Sequence, residues 1–221
     1  MNIEQARFNM IEQQIRTWEV LDQAVLTLLS QVKREDFVPA AYRSIAFTDM
    51  EIPLGHGQAM LSPKMEARIL QEVAPKATDR VLEIGTGAGY QTALLASRSA
   101  EVLSLEIFDD LSKTAAANLA RAGITNVVLK VGDAALSPDK FSGADEKFDV
   151  IVITGSTPVL PTAYLDRLQV HGRLFAVIGD APVMKATLFT RQTATTVSHI
   201  DLFETVVTPL VNAPQPSRFD F

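Results

Sequence analysis

The sequence predicts an α/β protein with a mostly parallel, doubly wound sheet, antiparallel strands at its C-terminal end and a helical extension before it. Three observations carry that prediction. From Arg80 onward, apolar runs of strand length alternate with helix-like segments. The first run, Val81-Leu82-Glu83-Ile84, breaks into three alternating glycines, Gly85-Thr86-Gly87-Ala88-Gly89, before helix-forming residues resume at Tyr90. The stretch 185–210 is rich in Thr and Val, as in an antiparallel finish to a parallel sheet.

Residues 1–62 stand apart from the alternating pattern. Ile3, Phe8, Ile11, Ile15 and Trp18 recur at roughly helical intervals and predict an amphipathic first helix. Asp22 can cap a second helix carrying Val25, Leu26 and Leu29. A loop-rich stretch with turns at Pro53, Gly55 and Gly57 follows. Ser62-Pro63 is a good helix start, and Lys64–Val73 would turn Met65, Ile69 and Val73 toward a core. Strand 80–84 then leads to helix 90–98, and strand 101–106 to helix 109–122, with Asp109 as its cap. Strands are predicted at 127–131, 148–153 and 173–178, the last after a turn at His171-Gly172. Asp149, opening its strand, reads as structural. The runs 185–191 and 195–207 complete the sheet, and 212–221 reads as an extended tail. The organisation expected is one domain over 1–211, with 1–62 covering a site built on 63–211.

Bulk properties narrow the function. The chain has 221 residues, 20 Lys and Arg against 26 Asp and Glu, a net charge of −6, a pI near 5.1 and a mean hydropathy of +0.14. That balance argues against broad attachment to nucleic acid or an anionic membrane. There is no cysteine, hence no disulfide framework and no thiolate chemistry. The N-terminal residues lack the layout of a secretory signal and no apolar run approaches a membrane span, so the expected setting is cytoplasmic. His56, His171 and His199 are far apart, and no metal site is expected. Neither a Gly-x-Ser-x-Gly elbow nor a phosphate-binding Gly-Lys-Ser/Thr is present.

The glycine turn after the first strand points to a nucleotide-type cofactor. Gly-x-Gly-x-Gly followed by Tyr90 departs from the dinucleotide spacing, in which the third small residue comes one position later. Acids at three strand ends, Glu83, Glu106 and Asp133, would repel a pyrophosphate. The sulfonium, ammonium, ribose and adenine amine of S-adenosylmethionine instead call for acceptors. The residues therefore favour S-adenosylmethionine over NAD. Singly, the glycines could be a tight turn alone, and either Glu106 or Asp133 a helix cap or a solvated loop acid.

The stretch Val81–Tyr90, continuing Gln91-Thr92-Ala93, resembles the cofactor motif of the protein-L-isoaspartate O-methyltransferases, which methylate damaged aspartyl residues. Arg34-Glu35-Asp36-Phe37-Val38-Pro39 is similar to that family's Pro-Arg-Glu-x-Phe-Val-Pro segment. Ile52-Pro53-Leu54-Gly55-His56-Gly57-Gln58 is similar to its active-site loop, and Asn126-Val127, Gly132-Asp133 and Thr205–Leu210 also match. The likeness spans roughly residues 7–210. It implies a Rossmann-like S-adenosylmethionine-dependent methyltransferase with an N-terminal helical extension. Carried onto matching positions, it implies that Glu83, Gly85, Thr86, Gly87, Gly89, Glu106, Ile107, Asp133 and Ala134 hold the cofactor, and that Gln58, Leu61 and Ser62 lie at the acceptor. The family's Thr-Ile-Ser is here Ala59-Met60-Leu61, with Ser62 displaced by one residue and Pro63 in register. A second departure is Thr154-Gly155-Ser156 in place of Thr-Ala-Ala. The implied acceptor is an isoaspartyl carboxylate in a protein or peptide. A more apolar small-molecule acceptor and a non-catalytic cofactor-binding protein are the alternatives; oligomeric state is not readable.

Overall fold

A computed structural model describes residues 2–143 and 145–216. Of the tail expected at 212–221, residues 217–221 lie outside the described residues. Helix α1 (Ile3–Asn9) is capped by Asn2, whose side chain accepts from the Gln5 amide. It runs on through a π-turn, Met10–Ile15, and a 3-10 turn, Arg16–Trp18. The single 3.6-residue stripe expected here is thereby broken: Met10, Ile11 and Ile15 are buried, while Ile3 and Phe8 face solvent. Asp22 caps α2 (Gln23–Gln31) as expected, accepting from the Ala24 and Val25 amides. Gln71 fastens this corner to the next helix, accepting from the Leu21 and Asp22 amides and donating to the Glu19 carbonyl.

The loop expected at 52–60 is instead a hairpin of β1 (Ile52–Gly55) and β2 (Gln58–Met60). His56 and Gly57 both have positive φ, which gives its two-residue turn the twist a hairpin requires. Helix α3 (Pro63–Val73) follows with Met65, Ile69 and Val73 buried. The regular alternation then appears: β3 (Arg80–Ile84), α4 (Tyr90–Ala96), β4 (Glu101–Glu106), α5 (Asp109–Arg121) and β5 (Val127–Val131). Asp109 is not the cap of α5. Phe108 occupies that position, and Asp109, one residue inside, pairs with Lys113. Asp149 is structural, accepting from the Arg80 amide where β3 begins.

Strand β6 (Phe148–Thr157) leads through a short α6 (Thr162–Asp166) to β7 (Leu168–Asp180), which begins well before the expected 173. His171-Gly172 is a bulge inside β7, not a turn before it. The β6–β7 register slips between the Phe148–Leu168 and Val150–Arg173 pairs, and His171 has a φ of 68°. Strands β8 (Val183–Arg191) and β9 (Val197–Thr205) close the sheet, whose order is β5-β4-β3-β6-β7-β8-β9. Strands β3 to β7 are parallel, and β8 and β9 are antiparallel to their neighbours.

The centre of the sheet is buried on both faces, while the edge strands β5 and β9 are largely exposed. Val81, Val150 and Phe175 pack with α3, α4 and the extension residues Met10, Leu26, Leu29 and Phe37. Leu82, Ile151 and Leu174 form the opposite layer with Tyr164. The N-terminal extension therefore shares a core with the sheet. Strand order reverses at β3, which leaves a crevice beyond the C-terminal ends of β3, β4 and β6.

Candidate active site

That crevice holds about 680 Å³ of open space. Gly85, Gly87, Glu106, Ile107, Asp133 and Ala134 line it from the strand ends, and Gln58, Ala59 and Leu61 from the hairpin side. Val207, Thr208 and Leu210 close the far wall. A recess of about 320 Å³ continues behind the glycine turn, bounded by Met60, Glu66, Thr86, Tyr90, Gln91 and Thr154 and sharing Ala59, Leu61, Gly85 and Gly87 with the outer chamber.

The glycine turn is fixed from below. Gly85 has a φ of +94°, and a Cβ there would stand 2.3 Å from Thr154 Oγ1. That hydroxyl donates to the Ile84 and Gly85 carbonyls at 2.9 and 2.8 Å. Gly85→Ala is therefore expected to lose about 2 kcal/mol of stability, from left-handed strain and the displaced hydroxyl. Urea denaturation measures it; a loss under about 0.5 kcal/mol would mean the turn has slack. Gly89 does not face the cleft. It precedes α4, where a Cβ would meet that of Ala115 at 3.2 Å, so its role is close packing of α4 on α5.

Two carboxylates are held at the mouth by backbone donors. Glu106 accepts from the Gly87 amide at 2.8 Å and the Phe108 amide at 3.1 Å, which ties the end of β4 to the glycine turn. Asp133 is exposed, and accepts from the Ala135 amide at 2.9 Å and from Asn212 Nδ2 at 2.7 Å. The expected third acid is placed elsewhere. Glu83 is 0 % exposed and does not border the cleft; its Oε2 accepts from Thr92 at 2.5 Å and Ser104 at 2.6 Å. Burial pushes its carboxyl up to about 7, against the pull of both hydroxyls, and Oε1 has no partner among the described residues. The side chains alternate along β3, and position 83 points under the turn, not out of the strand end. Thr86 borders the recess, with its hydroxyl 2.6 Å from that of Ser104.

Ser62 also lies outside the cleft. It occupies the N-cap position of α3 without a capping bond and borders an adjoining hollow with Asp49 and Lys64. Met60 and Leu61 are buried at the floor. Beneath them Arg34, fully buried, donates through Nη2 to the Leu61 carbonyl at 2.7 Å and through Nη1 to the Ala46 carbonyl at 2.5 Å. Its Nε pairs with buried Glu66 at 2.9 Å. Burial drives the Glu66 carboxyl upward while Arg34 draws it down. Over the mouth, His56 at the hairpin tip stacks on Phe108, centroids 4.1 Å apart, and its Nε2 lies 2.9 Å from Asp110.

Several residues of this site were not expected from the sequence. Glu51, half-buried at the wall with its carboxyl raised by burial, lies 3.5 Å from the Thr208 hydroxyl. Thr208 and Leu210 come from the irregular segment after β9; the resemblance covers Thr205–Leu210 as a closing strand and gives neither residue a place at the site. Gln91 stands directly behind the glycine turn, inside the stretch that resembles the cofactor motif, but the resemblance gives it no site role. Among the described residues no cluster of His, Cys, Asp and Glu could hold a metal ion, and no helix is long and apolar enough to cross a membrane.

The chamber chemistry, two anchored acids and bare glycine backbone with no basic side chain on its walls among the described residues, suits a cationic nucleoside better than a pyrophosphate. Comparison with known proteins agrees. A relative from Methanoculleus marisnigri named protein-L-isoaspartate O-methyltransferase is 38% identical over 78% of this chain and 77% of its own. Protein-L-isoaspartate O-methyltransferase 1 of Rhodopseudomonas palustris is 35% identical over 95% and 87%. In fold, the chain resembles a Plasmodium falciparum protein provisionally described as a protein-L-isoaspartate O-methyltransferase, in complex with S-adenosyl-L-homocysteine. The TM-score is 0.80 at 21% identity, over 96% of this chain and 99% of that one. The model of the protein-L-isoaspartate(D-aspartate) O-methyltransferase family matches residues 5–215, and the chain belongs to that family.

Proposed function

We propose that the protein methylates the free carboxylate of L-isoaspartyl residues in damaged proteins or peptides, with S-adenosylmethionine as methyl donor. The observation that carries the reading is an acid-edged outer chamber set against a recess with which it shares Ala59, Leu61, Gly85, Gly87 and Thr154 as walls. Glu106 is suited to the ribose hydroxyls and Asp133 to the adenine amine, with Ile107 and Ala134 as apolar walls. Gly85, Thr86 and Gly87 offer backbone at the turn. When bound, the cofactor supplies a methyl carried on a sulfonium, which departs as a neutral thioether as the carboxylate oxygen bonds to carbon.

The chain's own task is mainly geometric. A carboxylate is ionised near pH 7, so no general base is required. Gln58 lies where its carboxamide can hold the acceptor, and Leu61 with Met60 excludes water from the attacking oxygen. Residues 1–62 act as the cover and 63–211 as the cofactor-binding core of one methyltransferase unit. A cytoplasmic setting without nucleic-acid or membrane partners belongs to the same proposal, supported by the acidic balance and the lack of cysteine.

The Ala59-Met60-Leu61 floor, with Met60 and Leu61 buried and no side-chain hydroxyl on offer, favours a second reading, a more apolar acceptor. Methyl transfer from labelled S-adenosylmethionine to an isoaspartyl peptide and its aspartyl twin separates the two. The expected result is base-labile label on the isoaspartyl peptide alone. Label appearing only with Leu61→Ser would establish the second reading. Cofactor binding with no product from any acceptor, peptide or apolar small molecule, would make it a non-catalytic binding protein.

A further inference from the structure

Gln91 is 5 % exposed, borders the inner recess, and leaves both Oε1 and Nε2 without a hydrogen-bond partner among the described residues. A buried carboxamide with a free donor and a free acceptor is costly unless a ligand engages it. We infer that Gln91 recognises the α-amino-acid end of the cofactor, its amide nitrogen donating to the carboxylate and its oxygen accepting from the ammonium. The inference rests on the proposed cofactor and assigns a specificity-determining residue to it.

The recess favours that occupant over the acceptor carboxylate. A carboxylate accepts only, so it would satisfy Nε2 and leave Oε1 orphaned. A zwitterion carries both a donor and an acceptor and can satisfy both ends of one amide. The charge around it agrees. Glu66 is the carboxylate on the recess wall, and Arg34 compensates it from beneath at 2.9 Å, so the pair presents little net field. A group of zero net charge fits there, whereas a second lone anion would face Glu66. Connectivity agrees too. The recess shares Gly85, Gly87 and Leu61 with the outer chamber, so a ligand whose nucleoside lies by Glu106 can extend its tail past the glycine turn to Gln91.

Calorimetric titration with two ligands tests this without any turnover. S-adenosylhomocysteine carries the amino-acid end; 5′-methylthioadenosine has the same nucleoside and sulfur without it. Gln91→Leu keeps the side-chain volume and removes both polar atoms. It is expected to weaken S-adenosylhomocysteine binding by about 10- to 100-fold, the worth of hydrogen bonds to charged groups. 5′-Methylthioadenosine should bind within twofold of wild type, which also shows that the cleft has folded. Unchanged S-adenosylhomocysteine affinity in Gln91→Leu, or equal losses for both ligands, would overturn the assignment and leave the cofactor reading standing. Wild-type protein that binds neither ligand would overturn the cofactor reading and this inference together.

Discussion

Arg34→Met is expected to destabilise the protein by about 3–5 kcal/mol, the usual cost of leaving one partner of a buried ion pair uncompensated. Arg34 is fully buried and serves three acceptors on separate segments: the Glu66 carboxylate, the Ala46 carbonyl and the Leu61 carbonyl. Methionine fills much of the volume but satisfies none of them. Arg34→Lys should recover only part of the loss, because an ammonium cannot match three acceptors lying around a planar fork. The Arg34→Met/Glu66→Gln double variant should be more stable than Arg34→Met alone, since the orphaned charge has gone. Urea midpoints for wild type and the three variants measure this. Equal stability of wild type and Arg34→Met would mean that packing, not the polar network, holds the hairpin floor. The Leu61 carbonyl gives the same residue a second effect: Arg34→Met loosens the floor that orients the acceptor, so methyl transfer should fall even at temperatures where the variant stays folded.

Glu83→Gln should make the protein less sensitive to pH and more stable above neutrality. Burial raises the Glu83 carboxyl from its ordinary value of 4.5 to about 7. Below pH 4.5 it is protonated in the folded and the unfolded chain alike. Between pH 4.5 and 7 the folded protein keeps a proton that the unfolded chain has released, so stability falls as pH rises through this window. The full fall from this one group is about 3 kcal/mol. Glutamine accepts from Thr92 and Ser104 as the acid does, without any charge to bury. The variant should thus match wild type near pH 4.5 and exceed it by up to about 3 kcal/mol at pH 8. Urea denaturation across pH 4.5 to 8 gives the comparison, and two parallel curves would show that Glu83 does not titrate in this window.

The parts of this fold that were legible in the sequence are those where local and tertiary forces agree. Strands β3, β4 and β5 run over the residues that their apolar runs predict; β3 and most of β4 are buried, while β5 is a largely exposed edge strand whose apolar run still marks its place. The second helix was legible from Asp22, whose carboxylate has one good use in that position. The failures share a different cause. Gly55, His56 and Gly57 carry turn signals that a loop and a two-residue hairpin have in common, and only pairing to Gln58 decides between them. His171-Gly172 signals a departure from regular backbone, but whether it ends a strand or bulges it depends on the neighbouring β6. For the site, the glycine turn, Glu106 and Asp133 were readable because they sit at strand ends. Glu83 was misplaced because a motif gives position along a strand and not the face to which its side chain points. Glu51 and Thr208 meet only through the tertiary fold, which no local pattern records, and nothing in the motif stretch marks Gln91 as a residue that borders the recess.

The wall joined by Glu51 and Thr208 spans 157 positions of chain. One side of the cleft is thus synthesised before the first sheet strand, and the other after the last. A nascent chain can build its helices and pair its strands long before the two ends meet across the mouth. Contacts of such separation are the slowest to form, since a long loop must close before they repay it. The mouth of the cleft therefore depends on both ends of the chain being in place at once.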